Sequence, residues 1–138
     1  MEYSISTDKS KIDVKAVHDY LCHRSYWAKG RSIERVIKSI ENSLCFGMYD
    51  REDNMLGFAR VVTDKVVFAY LMDLFIFESY RGKGLGTKLV KHITEQADLQ
   101  VRLWFLATAD AHGLYEKFGF SALDDPDRYM LKRDENYC

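Results

Sequence analysis

Two stretches combine residue types and spacing that suit chemistry. The first is Arg81-Gly82-Lys83-Gly84-Leu85-Gly86, which follows the apolar run Val66 to Ile76. Glycine has no Cβ to hold a ligand away from the backbone, and a helix opening here would leave its first N–H groups without internal partners. The helix dipole adds partial positive charge at the same point, and Arg81 and Lys83 add two full charges. Such a loop is built for a phosphate or pyrophosphate. It is not a nucleoside-triphosphate loop, because Gly86-Thr87-Lys88 has the order of that motif's end wrong. A dinucleotide fingerprint fails too: a third glycine would be needed at Thr87 or Leu89, and no acid stands in Arg102 to Ala107. The second feature is Asp73, the one charge inside Val66 to Ile76. A lone buried carboxylate costs several kcal/mol unless it is paired, so it is expected either to act as a base or to hold a structural partner such as Arg60.

The periodicity around these residues supplies the elements that must position them. After the loop, Leu85, Leu89, Val90 and Ile93 share a helical face over roughly Leu85 to Ala97. Ser10 and Asp13 offer a start for a helix carrying Val14, Val17, His18 and Leu21, where His18 reads as a core-edge residue. Ser32 caps a second helix with Ile33, Val36, Ile37 and Ile40 on one side. The period then shortens. Leu44 to Tyr49, Met55 to Thr63 and Val66 to Ile76 read as an antiparallel meander, after a weak first strand at Tyr3 to Ser6. Val101 to Ala107 reads as a strand buried on both faces. A fourth helix spans about Ala109 to Phe118, stopped by Gly119. Phe120 to Leu123 and Arg128 to Lys132 are expected to close the sheet, and the last six residues to fray. The order β-α-α-β-β-β-α-β-α-β-β predicts a mixed sheet with helices on both faces in one domain, residues 1–138.

Net charge is −1, from 20 basic and 21 acidic residues without long blocks of either sign, so neither nucleic acid nor a membrane is indicated as a partner. No signal peptide begins at Met1-Glu2-Tyr3, and no apolar run approaches membrane-spanning length, so the expected location is cytoplasmic. Cys22, Cys45 and Cys138 show no metal or disulfide spacing and are expected as reduced thiols, with Cys45 a small core residue.

The loop resembles the acyl-CoA pyrophosphate loop of the GNAT superfamily of N-acetyltransferases, Arg/Gln-x-x-Gly-x-Gly/Ala, through Arg81, Gly84 and Gly86. A second segment, Ala111-x-x-Leu114-Tyr115-Glu116-Lys117-Phe118-Gly119-Phe120, is similar to that family's Asn-x-x-Ala-x-x-Leu-Tyr-x-x-x-Gly-Phe, with Thr108 in place of the asparagine. The resemblance covers nearly the whole chain. It implies the GNAT fold: an α/β (α+β) mixed, mostly antiparallel sheet with one splayed parallel strand pair. It also implies acetyl-CoA as co-substrate, with no metal. The cofactor would lie along Leu74, Phe75 and Ile76, then Arg81, Gly82, Lys83, Gly84, Leu85, Gly86 and Thr87, and reach Thr108 and Tyr115. Tyr115 takes the place of the family's general acid. A phenol keeps its proton at neutral pH and can give it to a thiolate. The connector Ser25 to Arg31 would roof the acceptor, Tyr26 and Trp27 walling a pocket or anchoring the loop and Arg31 holding an acceptor carboxylate. Asp73 would stand at the acceptor amine.

The function implied is acetyl transfer from acetyl-CoA to a primary amine of a small molecule or peptide, by direct attack in a ternary complex, in a monomer or homodimer. Two alternatives stay open. One is a non-catalytic acyl-CoA-binding regulatory module, and the other is a protein acetyltransferase serving one partner chain.

Overall fold

The computed structural model describes residues 2–137, so Cys138 lies outside the described residues. In chain order the elements are β1 (Ser4–Ser6), α1 (Val14–His23), α2 (Ile33–Glu41), β2 (Leu44–Tyr49) and β3 (Met55–Thr63), then β4 (Phe68–Ile76), α3 (Leu85–Thr94), β5 (Leu103–Phe105) and α4 (His112–Glu116). Five strands form one sheet in the order β1-β2-β3-β4-β5. Every pairing is antiparallel except β4 with β5. The mixed sheet and the single parallel pair are as the sequence implied.

Helices cover both faces. Val17, Tyr20 and Leu21 of α1 and Val36 and Ile40 of α2 pack with Cys45, Phe58 and Phe75 on one side. Leu85, Leu89, Val90 and Ile93 of α3, with Tyr115, pack on Phe46, Met48, Val61, Ala69 and Leu71 on the other. The caps are those the sequence offered. Asp13 accepts from the Ala16 N–H and Ser32 from the Arg35 N–H, each satisfying an otherwise orphaned helix donor. Cys45 is fully buried, and burial pushes its thiol up to about 11, which leaves it inert at neutral pH.

Several expected boundaries move. The strand predicted from Val66 begins at Phe68, because Asp64 Oδ1 accepts from the N–H groups of Val66, Val67 and Phe68 at 2.9, 2.8 and 3.1 Å. Three N–H groups spent on one side chain cannot join a ladder. The segment Val101 to Ala107 contributes only Leu103–Phe105, and Leu103 is exposed, since β5 has a partner on one side alone. Neither Phe120 to Leu123 nor Arg128 to Lys132 is a strand. A 3-10 turn at Pro126–Arg128 follows the Asp124-Asp125 pair, and Met130 and Leu131 face outward. Proline fixes φ and lacks a ladder donor, which breaks the run at that point. Tyr129 still leans on the Phe105 ring, 5.4 Å between centroids.

The irregularity that matters for the site lies in β4. Two steps along β3, from Phe58 to Arg60, oppose three along β4, from Phe75 back to Met72. The extra residue is a bulge, and Asp73 sits there with φ +51°. Before it, Ala69 and Leu71 face α3; strict alternation would send residues 73 and 75 the same way. The bulge instead turns Phe75 toward α1 and α2. Just beyond it Gly57, paired with Ile76, is required, because a Cβ there would lie 2.8 Å from the Phe75 carbonyl oxygen.

Candidate active site

Parallel pairing of β4 with β5 runs only from Phe68–Leu103 to Tyr70–Phe105. Beyond Tyr70 the strands part, and Leu74, Phe75 and Ile76 continue without β5 beside them. A cleft of about 610 Å³ opens at this splay, lined by those three residues, Arg81, Gly82, Gly84, Leu85, Gly86 and Thr87. It continues into a narrower recess of about 160 Å³, lined by Asp73, Leu74, Thr108 and Tyr115. Tyr26, Trp27, Leu74, Asp110 and Leu114 line both, so the two spaces form one passage through the splay. A separate cleft of about 620 Å³ follows the free edge of β5 and contains none of the loop residues.

The glycine loop ends in α3. Gly84 caps that helix in the left-handed region, φ +74°, and no side chain caps it. A Cβ at Gly84 would meet nothing within 4 Å, so the residue is glycine for its backbone angle and the space above it is open. The first-turn N–H groups therefore face the cleft with no protein partner. That donor set, at the positive end of α3, fits the pyrophosphate of an acyl-CoA. Arg81 is held from beneath. Its Nε donates to the Ile76 carbonyl at 3.0 Å and its Nη2 to the Tyr20 hydroxyl, while the Tyr20 ring stacks on Phe75 at 4.0 Å. Arg81 thus fixes the loop to the strand as well as lining the cleft. Lys83 does not line it. Tyr20, Arg24 and Lys117 do, and nothing in their spacing singles them out in the sequence.

Asp73 is enclosed by three donors from two segments, the α1–α2 connector and β3. Trp27 Nε1 donates to Oδ1 at 2.8 Å; Arg31 Nη1 and Arg60 Nε both donate to Oδ2, at 2.8 and 2.9 Å. Its side chain is 1% exposed. Burial is the largest single influence and would raise the carboxyl pKa, but the charges of Arg60 and Arg31 with the Arg60 and Trp27 hydrogen bonds outweigh it and leave the pKa lowered. Both candidate roles meet here: Asp73 pairs with Arg60, and Arg31, offered as a ligand for an acceptor carboxylate, is bound to Asp73.

Tyr115 is buried in the wall of the recess, and burial pushes its phenol up to about 12, with smaller contributions from Tyr26 and Asp110. Thr108 Oγ1 accepts from the N–H groups of Asp110 and Ala111 at 3.4 and 3.1 Å, so this hydroxyl is used to open α4. Tyr26 reaches over the passage and accepts from the Ala109 N–H at 2.9 Å. Its ring meets Trp27 edge-on at 5.1 Å, and together they roof the splay.

A mixed sheet split beside a helix-capping glycine loop, with a buried phenol at the split, defines the class of α/β fold and the candidate site. Residues 41–122 match the model of the acetyltransferase (GNAT) domain, so the chain belongs to the GNAT acetyltransferase family. A GNAT-family protein of Xanthomonas campestris pv. campestris, described as a candidate acetyltransferase, has a crystal structure that superimposes with a TM-score of 0.93 at 36% identity, covering 97% of this chain and 94% of that one. A candidate acetyltransferase of Gibberella zeae is 26% identical over 84% of this chain and 77% of its own length. The uncharacterized N-acetyltransferase ycf52 of Pyropia yezoensis is 28% identical over 79% of this chain, which spans 64% of that relative. No helix among the described residues is long and apolar enough to cross a membrane.

Proposed function

We propose that the chain is an acetyl-CoA-dependent N-acetyltransferase that acts on a primary amine by direct attack. The observation that carries this is the continuous passage from the capless start of α3, through the splay, to the Tyr115 ring. Acetyl-CoA would supply a thioester, whose carbonyl carbon the amine nitrogen attacks while the carbon–sulfur bond breaks. The first-turn N–H groups of α3 hold the pyrophosphate, and the unpaired edge of Leu74 to Ile76 offers backbone groups to an extended chain lying in the splay. Tyr115 gives its proton to the departing sulfur, and the proton lost by the amine returns to the phenolate through water. Asp73 acts as a structural anchor: a carboxylate with two arginines on one oxygen and a lowered pKa is a weak base, so the amine arrives neutral or loses its proton to water.

The test is a melting curve with and without acetyl-CoA. Saturation at a hundred times the dissociation constant stabilises by about 2.7 kcal/mol, and Gly84→Glu should abolish the shift by placing a carboxylate over the cradle. An unshifted melt in the unaltered protein would remove the basis of the proposal.

A further inference from the structure

A third cleft opens from the far side of Tyr115. Its volume is about 400 Å³, and it shares Leu106, Ala107, Thr108 and Tyr115 with the narrow recess, so the two meet at the phenol. Its remaining walls are mainly apolar: Trp104 and Phe105 from β5, with Phe120, Ala122 and Leu123 from the segment after α4. The Phe120 ring stands edge-on to both Tyr115 and Trp104, at 5.9 and 6.2 Å, which makes one aromatic wall from β5 to the reacting centre. No lysine or arginine lines this cleft itself; the cleft along the free edge of β5, which shares Trp104, Phe105, Phe120, Ser121, Ala122 and Leu123 with it, also carries Arg102 and Arg128. The ionisable lining of the third cleft is His112, Glu116 and Tyr115. A cation at the free position of Arg31 is also excluded, because that guanidinium is bound to Asp73 outside both spaces.

Resting on the acetyltransferase reading above, we infer that this cleft takes the apolar body of the acceptor, and that the acceptor class is an alkyl- or arylalkylamine without a carboxylate. An enclosed apolar cavity of about 150 Å³ suffices for benzene, so a ring with a two-carbon arm fits a cleft of this size. The arm then points the nitrogen past Tyr115 into the recess where the thioester carbonyl lies. An amino acid of equal bulk would carry its carboxylate beside the nitrogen into the recess, which no lysine or arginine lines and where Asp73 and Asp110 stand, so repulsion and desolvation of that charge oppose binding. The remaining apolar source, a long acyl chain on the CoA, would enter the same cleft from the other substrate.

Steady-state kinetics on a small panel separates these. Phenethylamine should exceed ethylamine, spermidine and phenylalanine in kcat/KM by at least about tenfold, the difference entering through KM. Leu123, on the exposed rim, can be changed with little risk to the fold; Leu123→Asp should collapse the phenethylamine-to-ethylamine ratio toward one, and Leu123→Phe should preserve it. Acetyl-CoA protection in the melt together with faster turnover of spermidine or phenylalanine would overturn the acceptor class and leave the acetyltransferase reading intact. A preference for hexanoyl-CoA over acetyl-CoA that Leu123→Asp removes would assign the cleft to the acyl chain and equally overturn it. Absence of acetyl-CoA protection would bring down both readings.

Discussion

A phenol raised to about 12 is protonated across the physiological range, so Tyr115 stands in its donor form at every working pH while burial also makes it a weaker acid than a free phenol. Tyr115 has that character because it is buried at the wall of the passage, where a phenolate would be badly solvated. Its pKa is raised, so its contribution to stability is complete below the unfolded value near 10 and is lost as pH rises through about 12. An alkaline fall in activity well below pH 11 would therefore come from another group. Tyr115→Phe keeps the packing and removes the proton; kcat should drop by about 10²-fold with acetyl-CoA binding nearly unchanged, as pre-steady-state and melting measurements would show. Turnover at the unaltered rate would make Tyr115 a packing residue. The residue types at this centre were readable from the motif around Gly119 and Phe120. The company Asp73 keeps was not, because a bulge shifts the alternation by one position and residues 66–76 are apolar at almost every position, which hides the shift.

The connector between α1 and α2 and the loop between β5 and α4 are separate in the chain and joined over the splay by the Tyr26–Ala109 bond. Tyr26→Phe should raise KM for the acceptor several-fold, speed amide exchange at Ala109 and leave the unfolding free energy within about 0.5 kcal/mol of the parent, as for an exposed substitution. Unchanged exchange at Ala109 would mean the loops are held by other contacts. Element types from β2 through α3 followed from their pattern, since β2 and β3 are short apolar runs buried on both faces and α3 buries one regular face. The segment after α4 did not. Residues 120–123 and 128–132 have strand-like composition, but a strand needs a partner, and composition says nothing about whether the edge of β5 takes one.

For the molecule as a whole, the cluster around Asp73 joins α1's trailing connector to both central strands. Asp73→Asn leaves two arginines facing a neutral amide, and breaking a buried pair in this way should cost about 3–5 kcal/mol. The carboxyl pKa is depressed below 3.8, so the stability it confers is complete above about pH 4 and is lost as pH falls through the lower folded value. Melting temperature against pH should show that acid limb in the parent and a shallower one in the variant; superimposable curves would refute the anchoring role. The three donors also differ in how far along the chain they lie. Arg60 is 13 residues from Asp73, Arg31 is 42 and Trp27 is 46. Closing the longer loops costs more chain entropy, by roughly (3/2)RT times the logarithm of the length ratio. The hairpin pair is therefore expected to form before the connector docks, which φ-values at Arg60 and Arg31 would test. Exchange at Ala109, whose N–H is held by the Tyr26 hydroxyl, would measure how often the connector leaves the mouth of the passage.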